Sequence, residues 1–152
     1  MALAFLSVGL FTTSCSSDDD KDGGTPSTFV LNRDDFKGEI NDGEVTLESG
    51  TYNLTGRLLV KDGAKLIIKA GVTIEASSSA TDGILRYIAV AQGGEIHVQG
   101  TSSNPVVMTS VNKTPGAWGG LVLCGKAPIN KGTPAQAEVS DLAYGGNDAS
   151  DS

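Results

Sequence analysis

The sequence contains few aromatic side chains, two cysteines and a single histidine. Aromatic residues make up 5% of the 152 residues, whereas there are 20 glycines. A core of this composition has to be built from aliphatic side chains, and short β-branched runs between glycine turns favour strands over helices. One histidine and two distant cysteines also match no zinc-binding pattern. The composition therefore predicts an all-β protein, and we expect no metal.

Clustered positive charge is also missing. The chain has 11 basic and 18 acidic residues, and its formal net charge is −7 at pH 7. Affinity for DNA or RNA depends on Lys and Arg side chains that neutralise phosphates. The sequence contains no phosphate-binding loop and no nucleophile elbow. We therefore expect no nucleic-acid partner and no cofactor.

An apolar stretch opens the chain, but it is short. Residues 1–11 read MALAFLSVGLF, whereas a membrane-spanning helix needs about 20 apolar residues. The stretch has the length of a signal-peptide core. Small residues then precede Cys15, which resembles the cleavage site of bacterial lipoproteins. The resemblance implies a signal peptide at residues 1–14, a lipid on Cys15 and a location in the outer membrane.

The segment after Cys15 is polar and acidic. Residues 16–28 read SSDDDKDGGTPST, and such a composition does not bury enough apolar surface to fold alone. Its aspartate run resembles the signal that sends some lipoproteins to the cell surface. We therefore predict that residues 15–28 are an acylated cysteine followed by a disordered acidic tether. Residues 29–43 are interpreted as a lead-in or cap.

From residue 44 onward, short apolar runs alternate with glycine turns. Within Lys65–Ala70, the side chains of Leu66 and Ile68 should point to one side of a strand. Three glycine turns, about 25 to 31 positions apart, each open an apolar run, and such a period is typical of solenoids. These turns are at Gly63, at Gly93 and Gly94, and at Gly119 and Gly120. An antiparallel β-sandwich is the alternative fold, because Asp-Gly dipeptides are also common in hairpin turns.

Residues 50–130 resemble a module of secreted and surface bacterial β-helix proteins. The segment Trp118–Asn130, WGGLVLCGKAPIN, carries the most specific part of the resemblance. The resemblance implies that residues 44–152 form a right-handed, pectate-lyase-like parallel β-helix. We expect this helix to be incomplete and its coils to continue beyond the chain end, so that the chain is an N-terminal fragment.

The sequence contains no catalytic constellation. Trp118 is a possible platform for stacking a sugar ring, although packing over a coil corner is the favoured interpretation. His97 lacks a partner at metal-ligand spacing. Basic residues that could serve a lyase as a base recur singly, at Arg57, Lys61, Lys65, Lys69 and Arg86. Cys124, in an apolar run, is interpreted as a buried small hydrophobic residue.

The function predicted from these features is a non-enzymatic binding or adhesion scaffold on the cell surface. Its expected partners are the membrane, through the lipid, and polysaccharides or other surface proteins. A polysaccharide-active lyase or hydrolase of the same fold is the alternative. Acidic and basic residues clustered in one cleft at adjacent coils would favour that enzyme, and a dispersed pattern would favour the scaffold.

Lipidation is tested by Cys15→Ser. Because the lipid is attached through the thiol of this cysteine, the variant should lose radiolabelled fatty acid and should be released in soluble form. Labelling and fractionation of cells that express each version measure both effects. Membrane attachment of the variant would contradict the lipid anchor.

Overall fold

The computed structural model describes residues 24–78, 82–130, 135–138 and 140–148, and in these it contains strands but no helix. None of the described segments could therefore cross a membrane as a helix. Residues 1–14, predicted to be a signal peptide, and Cys15 lie outside the described residues. The strands are β1 (Phe36–Ile40), β2 (Glu44–Leu47), β3 (Gly50–Val60), β4 (Lys65–Ile68), β5 (Val72–Ala76), β6 (Tyr87–Val90), β7 (Glu95–Val98), β8 (Val107–Ser110), β9 (Leu121–Leu123), β10 (Ala135–Gln136) and β11 (Ala143–Tyr144).

Strands β1–β9 pair only in parallel, and they form three stacks that we call faces. Face 1 contains β1, the second half of β3, β6 and β9. Face 2 contains β2, β4 and β7, and face 3 contains the first half of β3, β5 and β8. The chain visits the three faces in turn, and β3 is long because it ends one coil and begins the next. This confirms an incomplete parallel β-helix and shows that the sandwich alternative is wrong.

The core lies inside the coil, where equivalent residues of successive coils stack on each other. On face 1, Ile40, Val60, Val90 and Leu123 share one register position. The first three are at most 5% exposed, whereas Leu123 in the last strand is 62% exposed. An inward apolar side chain is therefore buried only where another coil covers it.

Face 2 follows the same rule. Leu66 and Ile68 are fully buried, which confirms the predicted alternation in Lys65–Ala70. Val98, the equivalent of Ile68 in β7, is half exposed. Within the described part of the chain, β7 pairs with a strand on one side only, and this accounts for the exposure.

The docked part of the chain begins before residue 29. Pro26 forms a parallel bridge with Glu44, and the amide of Glu44 donates to the carbonyl of Thr25 at 2.8 Å. The Asp42 carboxylate accepts hydrogen bonds from the amide and hydroxyl of Thr28, and these hydrogen bonds lower its pKa. The last residues assigned to the tether therefore add to the edge of face 2, because their backbone finds partners there.

The segment predicted as a lead-in or cap contains both a cap and a coil strand. Phe29 packs edge-on against Phe36, with 6.5 Å between ring centroids. The guanidinium of Arg33 lies 4.6 Å from the ring centre of Tyr52, a cation–π distance. Strand β1, however, pairs with β3 and belongs to the first coil. The coils thus begin upstream of residue 44, and the residues before β1 cover their open end.

The glycine turns fall at two different corners. Gly43, Gly63 and Gly93 occupy the corner between faces 1 and 2, with φ of 57°, 75° and 83°. These left-handed conformations suit glycine, which has no Cβ. The 119–120 pair instead precedes β9, which lies on face 1. The glycine spacing seen in the sequence therefore does not measure the length of one coil.

Gly94 is needed because backbone atoms approach it closely. A Cβ at this position would lie 2.8 Å from the carbonyl oxygen of Val60 and 2.9 Å from that of Lys61. Both oxygens belong to the preceding coil and cannot move without changing the corner. At Gly63, by contrast, a Cβ would meet no atom within 4 Å.

The two glycines should therefore differ in sensitivity to alanine. Gly63→Ala should lower the free energy of unfolding by about 1 kcal/mol through its positive φ alone. Gly94→Ala should lower it by about 2–3 kcal/mol, because the methyl group overpacks the corner. Urea unfolding followed by circular dichroism measures both values. Equal losses in the two variants would contradict the close approach at Gly94.

Candidate functional site

The outer side of face 1 carries apolar side chains that another part of the chain covers. Leu59, Ala89 and Val122 occupy the same register position there, and Tyr87 precedes them on the same side of β6. Leu142, between β10 and β11, packs against this cluster. The β10–β11 hairpin therefore lies against the outside of the coil.

The base of the hairpin is held by hydrogen bonds to the corner after β6. The side-chain amide of Gln92 donates to the carbonyls of Gly125 and Gly145, at 2.9 and 3.2 Å. The amide of Gly145 donates to the carbonyl of Gly125 at 2.8 Å, and that of Gly146 to Ala127 at 3.0 Å. These contacts fix the hairpin relative to face 1.

A cleft of about 390 Å³ lies between the hairpin and face 1. Arg57 and Tyr87, which are partners in neighbouring strands, contribute its coil side. The hairpin contributes amide, hydroxyl and carboxylate groups. Its lining residues are Gln136, Ala137, Glu138, Ser140 and Asp141. The surface of the cleft is thus mainly polar, and Tyr87, which is 7% exposed, lies beneath it.

Arg57 is held by an ion pair beside the cleft. Its Nη2 lies 3.0 Å from Oε1 of Glu39, and the Nζ of Lys61 lies 2.7 Å from Oε2 of the same carboxylate. The hydrogen bond from Lys61 is the main cause that lowers the pKa of Glu39, and both positive charges add to it. Glu39 therefore stays ionised and holds both basic side chains in ion pairs.

Gly119 brings the segment before β9 close to Tyr87. A Cβ on Gly119 would lie 2.9 Å from the Cβ of Tyr87, and the Gly119 amide donates to the carbonyl of Arg86 at 2.7 Å. Gly120, the next residue, has a φ of 78°. The two glycines serve different needs, namely a close approach and a left-handed turn.

A second charged row lies on the outer side of face 2. Glu44, Lys65 and Glu95 are partners in successive strands and line a groove of about 320 Å³. Glu95 lies 2.9 Å from His97 and 3.3 Å from Lys65, and these contacts lower its pKa, the His97 hydrogen bond most. No group of three potential metal ligands occurs in the part of the chain described by the structure. The row is therefore an alternating charge ladder on an exposed face.

Arg86 is buried and fully engaged. Its guanidinium forms a bidentate pair with Asp82, with both N–O distances at 2.6 Å, and its Nε donates to the hydroxyl of Ser77 at 3.0 Å. A further hydrogen bond joins Nη1 to the carbonyl of Ile84. These contacts raise the pKa of Arg86 and lower that of Asp82 to about 2. The pair holds the connection between β5 and β6 and offers no base.

The remaining candidates lie apart from the cleft. Trp118 is half-buried and packs against the interior cluster of the coil. Cys124 is 6% exposed, in agreement with its interpretation as a buried residue, and burial raises the pKa of its thiol. His97 and Lys65 belong to face 2. Of the basic residues considered from the sequence, Arg57 lies in the cleft.

The hairpin side of this cleft was not predicted from the sequence. Strands β10 and β11 contain two residues each, which is too short for a recognisable pattern. One signal was present: Leu59, Ala89 and Val122 are apolar at positions where alternation predicts exposed side chains. An apolar row on an outer face requires a cover.

Comparison with known proteins gives one match. The family model of the pectate-lyase like beta helix domain matches residues 38–152. No curated protein and no solved structure matches the chain. The matched range begins inside β1, in agreement with a first coil that starts upstream of residue 44.

Unfolding at low pH should show how much the Asp82–Arg86 pair contributes to the stability of the fold. Because the pKa of Asp82 falls from its ordinary 3.8 to about 2 on folding, its carboxylate stabilises the fold fully above about pH 4. That contribution is lost as the pH falls through 2. Urea unfolding of Asp82→Asn should therefore differ from the unaltered protein at pH 7 and converge with it near pH 2. The exposed Asp34→Asn is the control, and a difference that persists at pH 2 would contradict this role.

Proposed function

Since the chain belongs to the pectate-lyase-like β-helix family, we propose that it is a lipid-anchored cell-surface protein that binds glycans without cleaving them. The cleft between the hairpin and face 1 carries this proposal. It combines the guanidinium of Arg57 with the polar groups of Gln136 and Ser140. All three groups can donate hydrogen bonds to the hydroxyls of a sugar, and the amide and the hydroxyl can also accept them.

The electrostatics of the basic residues support binding over a lyase reaction. A lyase base has to lose its proton before it can take one from the substrate. Arg57 and Lys61 are instead both held in ion pairs with Glu39. Arg86, the other candidate, is buried against Asp82.

The carboxyl groups argue against a hydrolase in the same way. The general acid of a glycosidase needs a raised pKa so that it is protonated near neutral pH. Within the described residues, every carboxyl group with a shifted pKa is shifted downward. These groups are Asp35, Glu39, Asp42, Asp82 and Glu95. These five groups are not among the residues that line the cleft, so they supply no general acid to a glycan bound there.

The proposed anchor also limits how far the coil stands from the membrane. Eight residues lie between Cys15 and Gly24, and the nine residue-to-residue steps of a fully extended chain span roughly 30 Å. The next residues already dock on face 2 through Pro26. A lipid on Cys15 would therefore keep the capped end of the coil near the bilayer and leave the later coils further out.

The proposal is tested by electrophoresis in native gels that contain hydroxyethyl cellulose, galactomannan or polygalacturonate. The protein should be retarded by at least one of them and should release neither reducing ends nor unsaturated products. Arg57→Ala should weaken that retardation about tenfold, because it removes a charged hydrogen-bond donor.

The matched control is Lys69→Ala. It removes the same charge from a residue that follows β4 on face 2, away from the cleft. Retardation that is weakened equally by both variants would place binding outside the cleft. No retardation by any polysaccharide, or release of products, would overturn the proposed function.

A further inference from the structure

The charge of the cleft is carried mainly by the hairpin. Glu138 and Asp141 line its outer side and are both exposed. Within the described part of the chain, neither carboxylate forms an ion pair with Lys or Arg. On the coil side, Arg57 and Lys61 share the single carboxylate of Glu39, which leaves one positive charge there. The two hairpin carboxylates outnumber that charge, so a ligand that enters meets an excess of negative charge.

We propose that the cleft accepts uncharged glycans and rejects polyuronates, and this inference rests on the proposed binding function. A polyuronate carries one carboxylate on each sugar, so a bound segment would place negative charge beside Glu138 and Asp141. Like charges in such proximity repel each other, and the net charge of −7 adds to that repulsion over longer distances.

The same two carboxylates favour a neutral sugar. An ionised carboxylate accepts hydrogen bonds from hydroxyl groups, and these charge-assisted bonds are stronger than those between neutral groups. The amide of Gln136 and the hydroxyl of Ser140 can both donate and accept. The lining thus matches a chain of hydroxyls, and Arg57, the cation among its described residues, already forms an ion pair with Glu39.

Because the two carboxylates are exposed to solvent, the discrimination between neutral glycans and polyuronates should be moderate and should depend on the salt concentration. Both carboxylates are exposed, so the repulsion acts through water and is screened over about 8 Å at physiological ionic strength. Removing both charges should therefore strengthen binding of a polyuronate about tenfold, which is the effect expected of two solvent-screened charge contacts. High salt should reduce the discrimination in the unaltered protein.

The test compares hydroxyethyl cellulose and galactomannan, which are neutral, with polygalacturonate in native affinity gels. The unaltered protein should be retarded by a neutral polymer and not by polygalacturonate at low salt. Glu138→Gln/Asp141→Asn should gain retardation by polygalacturonate. Asp34→Asn/Glu48→Gln changes the net charge equally, at residues that do not line the cleft, and should not gain it.

The pattern of retardation distinguishes a failure of this inference from a failure of the proposed binding function. Stronger retardation by polygalacturonate than by the neutral polymers would overturn this inference and leave the proposed glycan binding intact. An equal gain in both double variants would also overturn it, because overall charge and not the cleft would then govern selectivity. No retardation by any of the three polymers would overturn the binding function itself.

Discussion

An inward side chain in this coil is buried only when the next coil places its equivalent residue on top of it. Ile40, Val60 and Val90 meet this condition, and Leu123 at the same register position does not. Burial of apolar area is the main favourable term in folding, so the stability of each coil depends on its neighbours. At one end of the coil, the cap residues Phe29 and Arg33 cover the core in the way that a neighbouring coil covers it elsewhere.

The same stacking determines where a binding site can arise. Residues that alternate with the core point outward, and in register they form straight rows along the coil. On face 2 the row of Glu44, Lys65 and Glu95 is charged and stands in solvent. On face 1 the row is apolar, and the hairpin with Leu142 covers it. The cleft lies where this cover meets the coil, so its position follows from the pattern of outward side chains.

The sequence was sufficient for the parts of the fold that depend on local patterns. Alternation correctly placed Leu66 and Ile68 inside, because a strand has a period of two. The spacing between glycine turns did not give the length of a coil, as Gly119 and Gly120 show. The connections between strands differ in length, while the strands themselves remain in register.

Most of the candidate site could not be predicted from such local patterns. Its coil side could be anticipated, because Arg57 falls on an outward position of a recognisable strand. Its hairpin side depends on pairing between two very short strands, and on the contact of Gln92 with backbone 33 and 53 residues away. The pairing of Asp82 with Arg86 likewise depends on how a connection bends. Contacts of this kind form only in the assembled coil and produce no periodic pattern in the sequence.

Equivalent residues on face 1 are separated by 20, 30 and then 33 positions, from Ile40 to Val60, Val90 and Leu123. The added length lies in the connections, as between β7 and β8, while the strands keep their partners. An insertion at a corner therefore changes the surface without shifting the core, whereas one residue added inside a strand would turn its apolar side outward. A lineage that carries this architecture can diversify what its corners recognise while the folding unit stays the same.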